Sequence, residues 1–242
     1  MRTIVSVVVC MLMLTTPTWA QNVDRCVPGD GLFFDVLPIT RDGYVLVPAR
    51  QLVEWLGGTM QFDGNQMVAW QYRLQPNRID LRVGSRNAKW NGTDYTLDTA
   101  PVMSEGRLMV PLRFVGEAFG CRVDTWDHMV RLRFIEYWQK AVMVIPPPEG
   151  SANRAVWKAI NGWYRNSANK IGRQNRGIRI EATTVSGNSA RATVYAQWED
   201  LNQEYLDHAA TKDEWTLARR GGSWRIVNRT SSPVTTIDEF PY

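Results

Sequence analysis

Hydrophobic and polar positions follow the same order in two stretches of the chain, 45–60 and 108–123, which align without a gap. Each stretch has an apolar, β-rich run, then a proline, about two helical turns and a glycine. Proline is tolerated at the start of a helix, where the first amides have no intrahelical acceptor, and glycine often ends a helix. Each copy therefore predicts a strand, a short helix and a returning strand.

Within both copies the helical apolar residues lie four positions apart, which places them on one helix face. These residues are Leu52 and Leu56 in the first copy, matched by Val115 and Phe119 in the second. A stripe of this kind is typical of a core and not of a cofactor site. Between the copies, alternating apolar residues and the pair Asn91-Gly92 predict further strands joined by a hairpin turn. The first module is expected to be a small antiparallel sheet with two short helices packed on it.

The stretch from Ile145 to Gly150 contains three consecutive prolines, which favour an extended spacer. After it, Ala152 to Lys170 suits a helix with Ser151 as N-cap, and four runs with period two follow, with turns at Gly187-Asn188 and Gly221-Gly222. The predicted fold class is α+β, with two small domains that each have an antiparallel sheet with short helices packed on it. The predicted division is a signal peptide at 1–20, a first domain at 21–140, a Pro-rich linker at 141–150 and a second domain at 151–242.

The first residues have the layout of a cleavable signal peptide: Arg2, an apolar run from Ile4 to Leu14, and small residues ending at Ala20. The mature chain is then expected to begin at Gln21. The apolar run is too short to span a bilayer, and no later stretch reaches the roughly 20 apolar residues that a membrane helix needs. No lipid-anchor motif precedes Cys26. We expect a secreted protein, periplasmic or at the cell surface, that is released or held by binding.

The chain has 242 residues, three cysteines and a net charge of +4. Removal of the signal peptide leaves Cys26 and Cys121, and a pair of cysteines in an oxidising compartment predicts a disulfide. The alternative is two buried thiols.

The second copy and the residues leading into it resemble the copper amine oxidase-like N-terminal domain, over about 27–134. The matching residues are Gly84-Ser85-Arg86, Asn91-Gly92, Leu97-Asp98, Ala100-Pro101-Val102, Val110-Pro111-Leu112-Arg113-Phe114-Val115-Gly116-Glu117-Ala118-Phe119-Gly120 and Trp126-Asp127. This resemblance implies a stalk or attachment module of exported bacterial proteins. The helix and strands after the spacer, ending in Trp215-Thr216-Leu217 and Trp224-Arg225-Ile226, are similar to the nuclear transport factor 2-like (NTF2-like) superfamily, a cone-shaped α+β fold.

Amine oxidase chemistry needs three copper-binding histidines and a tyrosine in an Asn-Tyr context. The sequence has two histidines, His128 and His208, and no Asn-Tyr pair, which excludes that activity within one chain. Tyr95 is interpreted as an aromatic residue of a strand that follows a hairpin turn. No spacing typical of a zinc site or of a Gly-x-Ser-x-Gly nucleophile occurs. The sequence predicts no cofactor.

The pairs Arg50/Glu54 and Arg113/Glu117 occupy the same positions in the two copies. We expect them to bridge to the neighbouring repeat or to carbonyls at strand ends; the alternative is a surface site for an acidic polymer. A second candidate is a basic run of four residues, Lys170, Arg173, Arg176 and Arg179. It is either a solvated loop and strand edge or a patch that attracts teichoic acid, anionic lipid or lipopolysaccharide.

These patterns predict an exported, non-catalytic protein of the cell envelope that acts as a binding protein or as a spacer. It is expected to be attached through an envelope polymer or a partner protein. Nucleic acid is not an expected partner of an exported protein. The alternative function is small-molecule binding, or an enzyme of the hydrolase or isomerase type, in a cone-shaped pocket of the second domain. Glu181 and Asp200 are the carboxylates nearest to such a pocket. A hollow cone would favour the enzyme, and a filled one the binding protein.

Overall fold

The structure is a computed structural model that describes residues 34–72, 76–126, 129–134, 140–171, 173–200 and 208–234. The first repeat contains β1 (Ile39–Arg41), β2 (Tyr44–Pro48), α1 (Ala49–Trp55), β3 (Thr59–Phe62), β4 (Gln66–Gln71) and β5 (Asn77–Arg82). Between the repeats lie β6 (Asn87–Trp90) and β7 (Thr93–Thr96). The second repeat contains β8 (Val102–Ser104), β9 (Arg107–Pro111), α2 (Leu112–Ala118), β10 (Cys121–Trp126), β11 (Met129–Phe134) and β12 (Lys140–Val144).

The repeat is longer in the structure than in the sequence alignment. At a constant offset, the hairpin β1-β2 corresponds to β8-β9, α1 to α2, and β3-β4 to β10-β11. The two central strands pair antiparallel, with Val47 opposite Val110. These two residues are counterparts in the repeats, so a pseudo-twofold axis passes between them. The predicted order of strand, proline, helix and glycine is confirmed in both copies.

The strands of the first domain are divided among three antiparallel sheets, where the sequence led us to expect one. Their orders are β1-β2-β9-β8, β3-β4-β5-β6-β7 and β10-β11-β12. The cause is local: Gly57 and Gly120 follow the two helices with φ of 74° and 85°, a left-handed conformation that glycine adopts without steric cost. The chain therefore turns out of the central sheet after each helix, and the second hairpin of each repeat starts a sheet of its own.

Residues 141–144, which the sequence assigned to the linker, form most of β12. This strand pairs antiparallel with β11, from Met129 opposite Val144 to Arg133 opposite Lys140. In the first repeat, β5 lies against β4 in the same way. The third sheet of the domain thus ends at Val144, and the residues between β12 and the second domain's helix are in neither helix nor strand.

The inward stripe predicted on the two short helices is confirmed. Leu52, Leu56, Val115 and Phe119 are all almost fully buried, and they belong to one core cluster between the sheets. Burying a side chain of this size stabilises a fold by about 1.5–3 kcal/mol. The helices are only two turns long and would not form alone, so this burial is what holds them.

Gly58 marks the closest approach between the first helix and its sheet. A Cβ atom there would lie 2.9 Å from Phe119 Cε2, 3.0 Å from the Trp70 carbonyl oxygen and 3.1 Å from Val53 Cγ1. In the second repeat the small residue is on the helix instead: Gly116 stands at the counterpart of Val53, and Cys121 at the counterpart of Gly58. Each repeat therefore places one glycine at this contact.

Replacing Gly58 by alanine should lower the free energy of unfolding by about 1–3 kcal/mol, because the carbonyl of Trp70 cannot move aside as a flexible side chain could. Urea unfolding monitored by tryptophan fluorescence measures this loss. Gly162 is the matched control, since nothing lies within 4 Å of its added Cβ. In a helix interior, Gly162→Ala should raise the stability by about 0.5–1 kcal/mol. Equal effects of the two substitutions would show that the contact at Gly58 is looser than described.

The second domain is one helix on a four-stranded antiparallel sheet. Its elements are α3 (Ala152–Ile171), β13 (Arg173–Ser186), β14 (Ser189–Asp200), β15 (His208–Arg220) and β16 (Ser223–Pro233), in sheet order β13-β14-β15-β16. The backbone N–H of Arg154 donates to Ser151 Oγ at 3.1 Å, which confirms Ser151 as the N-cap. Val156, Ile160 and Tyr164 of α3 are fully buried against the sheet. The α+β class with antiparallel sheets is confirmed.

A short segment before β1 connects the two domains. Phe34 packs in the core of the first domain and Leu37 in the core of the second. Side chains of α3 bind the backbone of this segment: Asn161 donates to the Phe34 carbonyl at 3.0 Å and Arg154 to the Leu37 carbonyl at 3.2 Å. An ion pair of 2.8 Å between Lys158 and Glu105 adds a further contact. The helix of the second domain therefore rests on the first domain through residues 34–37.

Candidate binding groove

A groove on the first domain is the candidate functional site. It lies between α2, β10, the end of β7 and the turn that joins β1 to β2, and it has a volume of about 340 Å³. Its wall is mainly apolar, with a few polar groups at the rim. The residues that give it chemical character are Tyr44, Tyr95, Asp98, Arg113, Phe114 and Glu117.

Two tyrosines on the wall present their rings to solvent. Tyr44 is 40% exposed and Tyr95 is 47% exposed, whereas Phe114 is buried beneath them. The rings of Tyr95 and Phe114 are in contact, with centroids 5.0 Å apart and planes inclined by 41°. Tyr95 is on strand β7, as the sequence predicted. Contact with a buried ring limits the movement of Tyr95 and gives the groove an ordered aromatic wall.

Arg113 joins α2 to β10 at the rim. Its guanidinium donates to the Val123 carbonyl at 2.9 Å, to the Glu117 carboxylate at 3.2 Å and to Thr125 Oγ1 at 3.5 Å. Both Arg113 and Glu117 are about half exposed. Their counterparts Arg50 and Glu54 are 3.9 Å apart and more exposed. The two repeated pairs thus differ. Arg113 and Glu117 lie on the groove, where Arg113 donates to a strand carbonyl, whereas Arg50 and Glu54 do not line it.

The corresponding face of the first repeat has polar contacts in place of the rings. The counterparts of Tyr44 and Phe114 are Arg107 and Gln51, and both bind Asp35. Arg107 donates to one carboxylate oxygen of Asp35 at 2.6 and 2.9 Å, and the Asp35 backbone N–H donates to Gln51 Oε1 at 3.1 Å. Asp35 is the counterpart of Asp98 on the groove wall, so the two faces have the same elements and differ in their side chains.

A buried polar cluster in the second domain was missed by the sequence analysis. Asp213 is fully buried and accepts hydrogen bonds from Arg229, from Ser231 at 2.6 Å and from the Tyr164 hydroxyl. Burial, followed by the charge of Asp213, raises the pKa of Tyr164 well above its usual value. Asp213 precedes Trp215 and Leu217 with period two, so the alternation of β15 could have shown that it points inward.

This cluster lies between α3 and the strands β15 and β16. The guanidinium of Arg229 lies 4.6 Å from the ring centroid of Trp163 and 5.5 Å from that of Trp215. The Asp213 carboxylate is already engaged by Arg229, Ser231 and Tyr164, which makes it a structural group. A separate hollow of about 290 Å³ lies between α3 and β16, beside Trp163 and Trp224. Glu181 and Asp200, the carboxylates named from the sequence, are on β13 and β14, but their side chains lie outside the described part of the structure.

Several predicted features fall where the structure gives no description. The signal peptide at 1–20, Cys26 and His128 lie outside the described residues, as do the side chains of His208 and of the basic run Lys170, Arg173, Arg176 and Arg179. Cys121 is described and buried, at the start of β10. The disulfide and the basic patch thus stay predictions.

Among the described residues, no group of three or more histidine, cysteine, aspartate or glutamate side chains is arranged to hold a metal ion. None of the helices described is long and apolar enough to cross a membrane.

Comparison with known proteins agrees with the fold of the first domain. Residues 26–134 match the family model of the copper amine oxidase N-terminal domain, which is a non-catalytic domain. No curated protein matches the chain. The family match does not reach the second domain, whose NTF2-like resemblance stays a prediction. The resemblance derived from the repeat is confirmed, because the model of the copper amine oxidase N-terminal domain matches residues 26–134.

Proposed function

We propose that this protein is an exported, non-catalytic binding protein of the cell envelope, and that the groove beside Tyr95 holds a strand of envelope glycan. The observation that carries the proposal is that aromatic rings line this groove in the second repeat, where the first repeat has Gln51 and Arg107 bound to Asp35. The signal-like first residues and the non-catalytic family of the first domain support the same reading.

Sugar rings suit the groove for a physical reason. The face of an aromatic ring carries partial negative charge, and the axial C–H groups of a pyranose carry partial positive charge, so the two stack. Tyr44 and Tyr95 offer such faces at 40% and 47% exposure. Asp98 and Glu117 at the rim can accept hydrogen bonds from sugar hydroxyls, and Arg113 can donate to them. Apolar walls with a few polar groups are typical of small-ligand and saccharide sites.

The equivalent positions of the first repeat support stacking as the mode of binding. There Gln51 and Arg107 bind Asp35, the counterpart of Asp98 on the groove wall. In the groove the same two positions are Phe114 and Tyr44, which favours contact with sugar rings over the polar contacts of the first repeat. The groove is proposed to anchor the protein to the envelope.

Replacing Tyr95 by alanine should weaken binding to insoluble cell-wall glycan about tenfold, since an aromatic anchor at the centre of an interface commonly contributes more than 1 kcal/mol. Binding is measured by co-sedimentation of residues 21–242 with purified peptidoglycan across protein concentrations. Tyr44→Ala should have a similar effect. The matched control is Tyr72→Ala, because Tyr72 is 76% exposed and does not line the groove.

Three outcomes would contradict the proposal. One is the absence of glycan binding by the wild-type protein. Another is an equal loss in the Tyr72 control, which would indicate nonspecific adsorption. The third is release from the sediment after protease treatment of the wall, which would identify a protein as the ligand and the groove as a peptide site.

A further inference from the structure

One aspartate occupies the same place in both repeats but has different surroundings. In the first repeat Asp35 is paired with Arg107, whose guanidinium donates to one carboxylate oxygen at 2.6 and 2.9 Å. The counterpart in the second repeat is Asp98, on the wall of the groove. The residues before them, Phe34 and Leu97, are both buried in the core of the first domain. The two aspartates therefore stand at equivalent points of the fold, and their partners can be compared directly.

Asp98 has no cationic partner like that of Asp35. The position of Arg107 is taken in the second repeat by Tyr44, which carries no charge. Arg113 also lines the groove, but its guanidinium donates to Glu117, to a strand carbonyl and to a threonine hydroxyl. Within the described part of the chain, the exposed carboxylate of Asp98 takes part in no ion pair and accepts no hydrogen bond. A charge that the first repeat neutralises internally is thus left on the groove in the second.

The backbone amides of the two aspartates differ in the same way. The Asp35 N–H donates to Gln51 Oε1 at 3.1 Å. The counterpart of Gln51 is Phe114, whose side chain contains no hydrogen-bond acceptor, so the Asp98 N–H cannot make the equivalent bond. The second repeat therefore presents one carboxylate acceptor and one backbone donor on the same residue, where the first repeat binds both within the protein.

We propose that the glycan held in the groove contains an amino sugar with a free ammonium group, and that this group pairs with Asp98 as Arg107 pairs with Asp35. The inference rests on the proposed function, since it names the chemistry of the glycan in that same groove. Ammonium and carboxylate groups form charge-assisted hydrogen bonds, which are stronger than neutral ones. The ring of Tyr44, at the position of Arg107, can attract the same positive charge through its face.

The donor and the acceptor on Asp98 favour an amino sugar over other carriers of an ammonium group. In glucosamine a hydroxyl stands on the carbon next to the one that bears the ammonium group. The ammonium can donate to the Asp98 carboxylate while the hydroxyl oxygen accepts from the Asp98 N–H. A lysine-type amine of a peptide has no neighbouring hydroxyl and would satisfy the carboxylate alone. N-acetylation turns the ammonium group into a neutral amide, which removes both the ion pair and the attraction to the ring.

The test compares two soluble probes, a glucosamine oligomer and its fully N-acetylated equivalent of the same length. Residues 21–242 are titrated with each by calorimetry, at a slightly acidic pH where the free amines are protonated. The glucosamine oligomer should bind about tenfold more tightly, the gain expected from one charge-assisted hydrogen bond. Asp98→Asn keeps the shape of the side chain but removes its charge, so it should abolish this preference and leave the affinity for the acetylated oligomer nearly unchanged.

Two further variants control for charge and for folding. Asp94→Asn is the matched control, because Asp94 is 88% exposed, pairs with Lys89 and does not line the groove. This substitution should leave the preference unchanged. Tyr44→Arg gives the second repeat the residue that the first has at this position, so the new guanidinium should pair with Asp98 and weaken binding of the glucosamine oligomer at least tenfold. Urea unfolding should show wild-type stability for Asp98→Asn, since Asp98 is exposed.

The possible failures are distinguishable. Equal affinities for the two oligomers, both lost in Tyr95→Ala, would overturn the inference and leave the glycan groove standing. Binding of peptidoglycan without binding of either oligomer would also overturn the amino sugar, whereas failure of all three ligands to bind would overturn the proposed function itself. A preference for glucosamine that persists in Asp98→Asn would show that the charge is recognised elsewhere. Tighter binding of a lysine-containing stem peptide than of the glucosamine oligomer would assign the ammonium group to the peptide of the wall.

Discussion

Replacing Arg229 by methionine should lower the free energy of unfolding of the second domain by about 3–5 kcal/mol, because it removes one partner of a buried ion pair. Asp213 is fully buried, and Arg229 donates three hydrogen bonds to it, at 2.9, 3.0 and 3.1 Å. Without the guanidinium, Asp213 keeps only the hydroxyls of Ser231 and Tyr164, and a buried carboxylate with neutral partners is costly. Urea unfolding at neutral pH measures the loss, and tryptophan fluorescence reports it directly, since Trp163 and Trp215 flank Arg229.

Arg225→Met is the matched control for this substitution. Arg225 is an exposed arginine on the same strand, so its loss should change the stability by no more than about 0.5 kcal/mol. The double variant Arg229→Met with Asp213→Leu should recover much of the loss, since it removes the uncompensated charge as well. A double variant as unstable as Arg229→Met alone would indicate that Arg229 acts through its packing between the tryptophans and not through its charge.

The sequence predicted the elements of each repeat well because they depend on neighbouring residues. Pro48 and Pro111 directly precede the helices, and Gly57 and Gly120 follow them. Helical spacing identified the buried stripe, and alternation identified the strands of the second domain. Such signals act over a few residues and need no knowledge of the partner surface.

Features built from residues that are distant in the sequence could not be predicted from such local signals. The division into three sheets depends on which strands meet across the pseudo-twofold axis at Val47 and Val110. The groove combines Tyr44, Tyr95 and Arg113 from three separate elements. The ion pairs of Asp124 show the same limit, because Arg131 and Arg133 reach this carboxylate only through the register of the β10-β11 hairpin. Asp213 is the exception, because the alternation of inward and outward residues on β15 predicts that it is buried, although the sequence analysis did not name it.

Duplication explains how two copies of one fold present different outer faces on one small domain. Both repeats keep the residues that fold them, such as the apolar helix face and the glycine at the contact of helix and sheet. Their outer residues differ: Gln51 and Arg107 hold the chain's own residue Asp35, whereas Phe114 and Tyr44 line an open groove. Likewise Thr59 and Trp70 are neutral where Arg122 and Arg133 are basic. Positions that agree between the two repeats are therefore the ones that the fold needs. Positions that differ are the ones available for the proposed binding.

A disulfide between Cys26 and Cys121 should stabilise the mature protein by about 4.7 kcal/mol, the value that loop entropy gives for a closed loop of roughly 95 residues. Cys121 is 3% exposed and begins β10, directly after the glycine that ends α2. A crosslink there would tie the residues before the first repeat to the second repeat. Urea unfolding with and without a reducing agent measures the contribution, and thiol labelling of the unfolded, unreduced protein counts the free thiols.

Single substitutions separate the crosslink from the packing of Cys121. If the disulfide forms, Cys26→Ser and Cys121→Ser both remove it, so each should cost the common loop term, and a reducing agent should have no further effect on either variant. If Cys121 instead contributes only as a buried thiol, Cys121→Ser should destabilise the protein while Cys26→Ser leaves it unchanged, because only the first places a hydroxyl in the apolar core. Two labelled thiols per unfolded, unreduced wild-type chain, together with that asymmetry, would show that the crosslink is absent and that the core around Cys121 carries the stability alone.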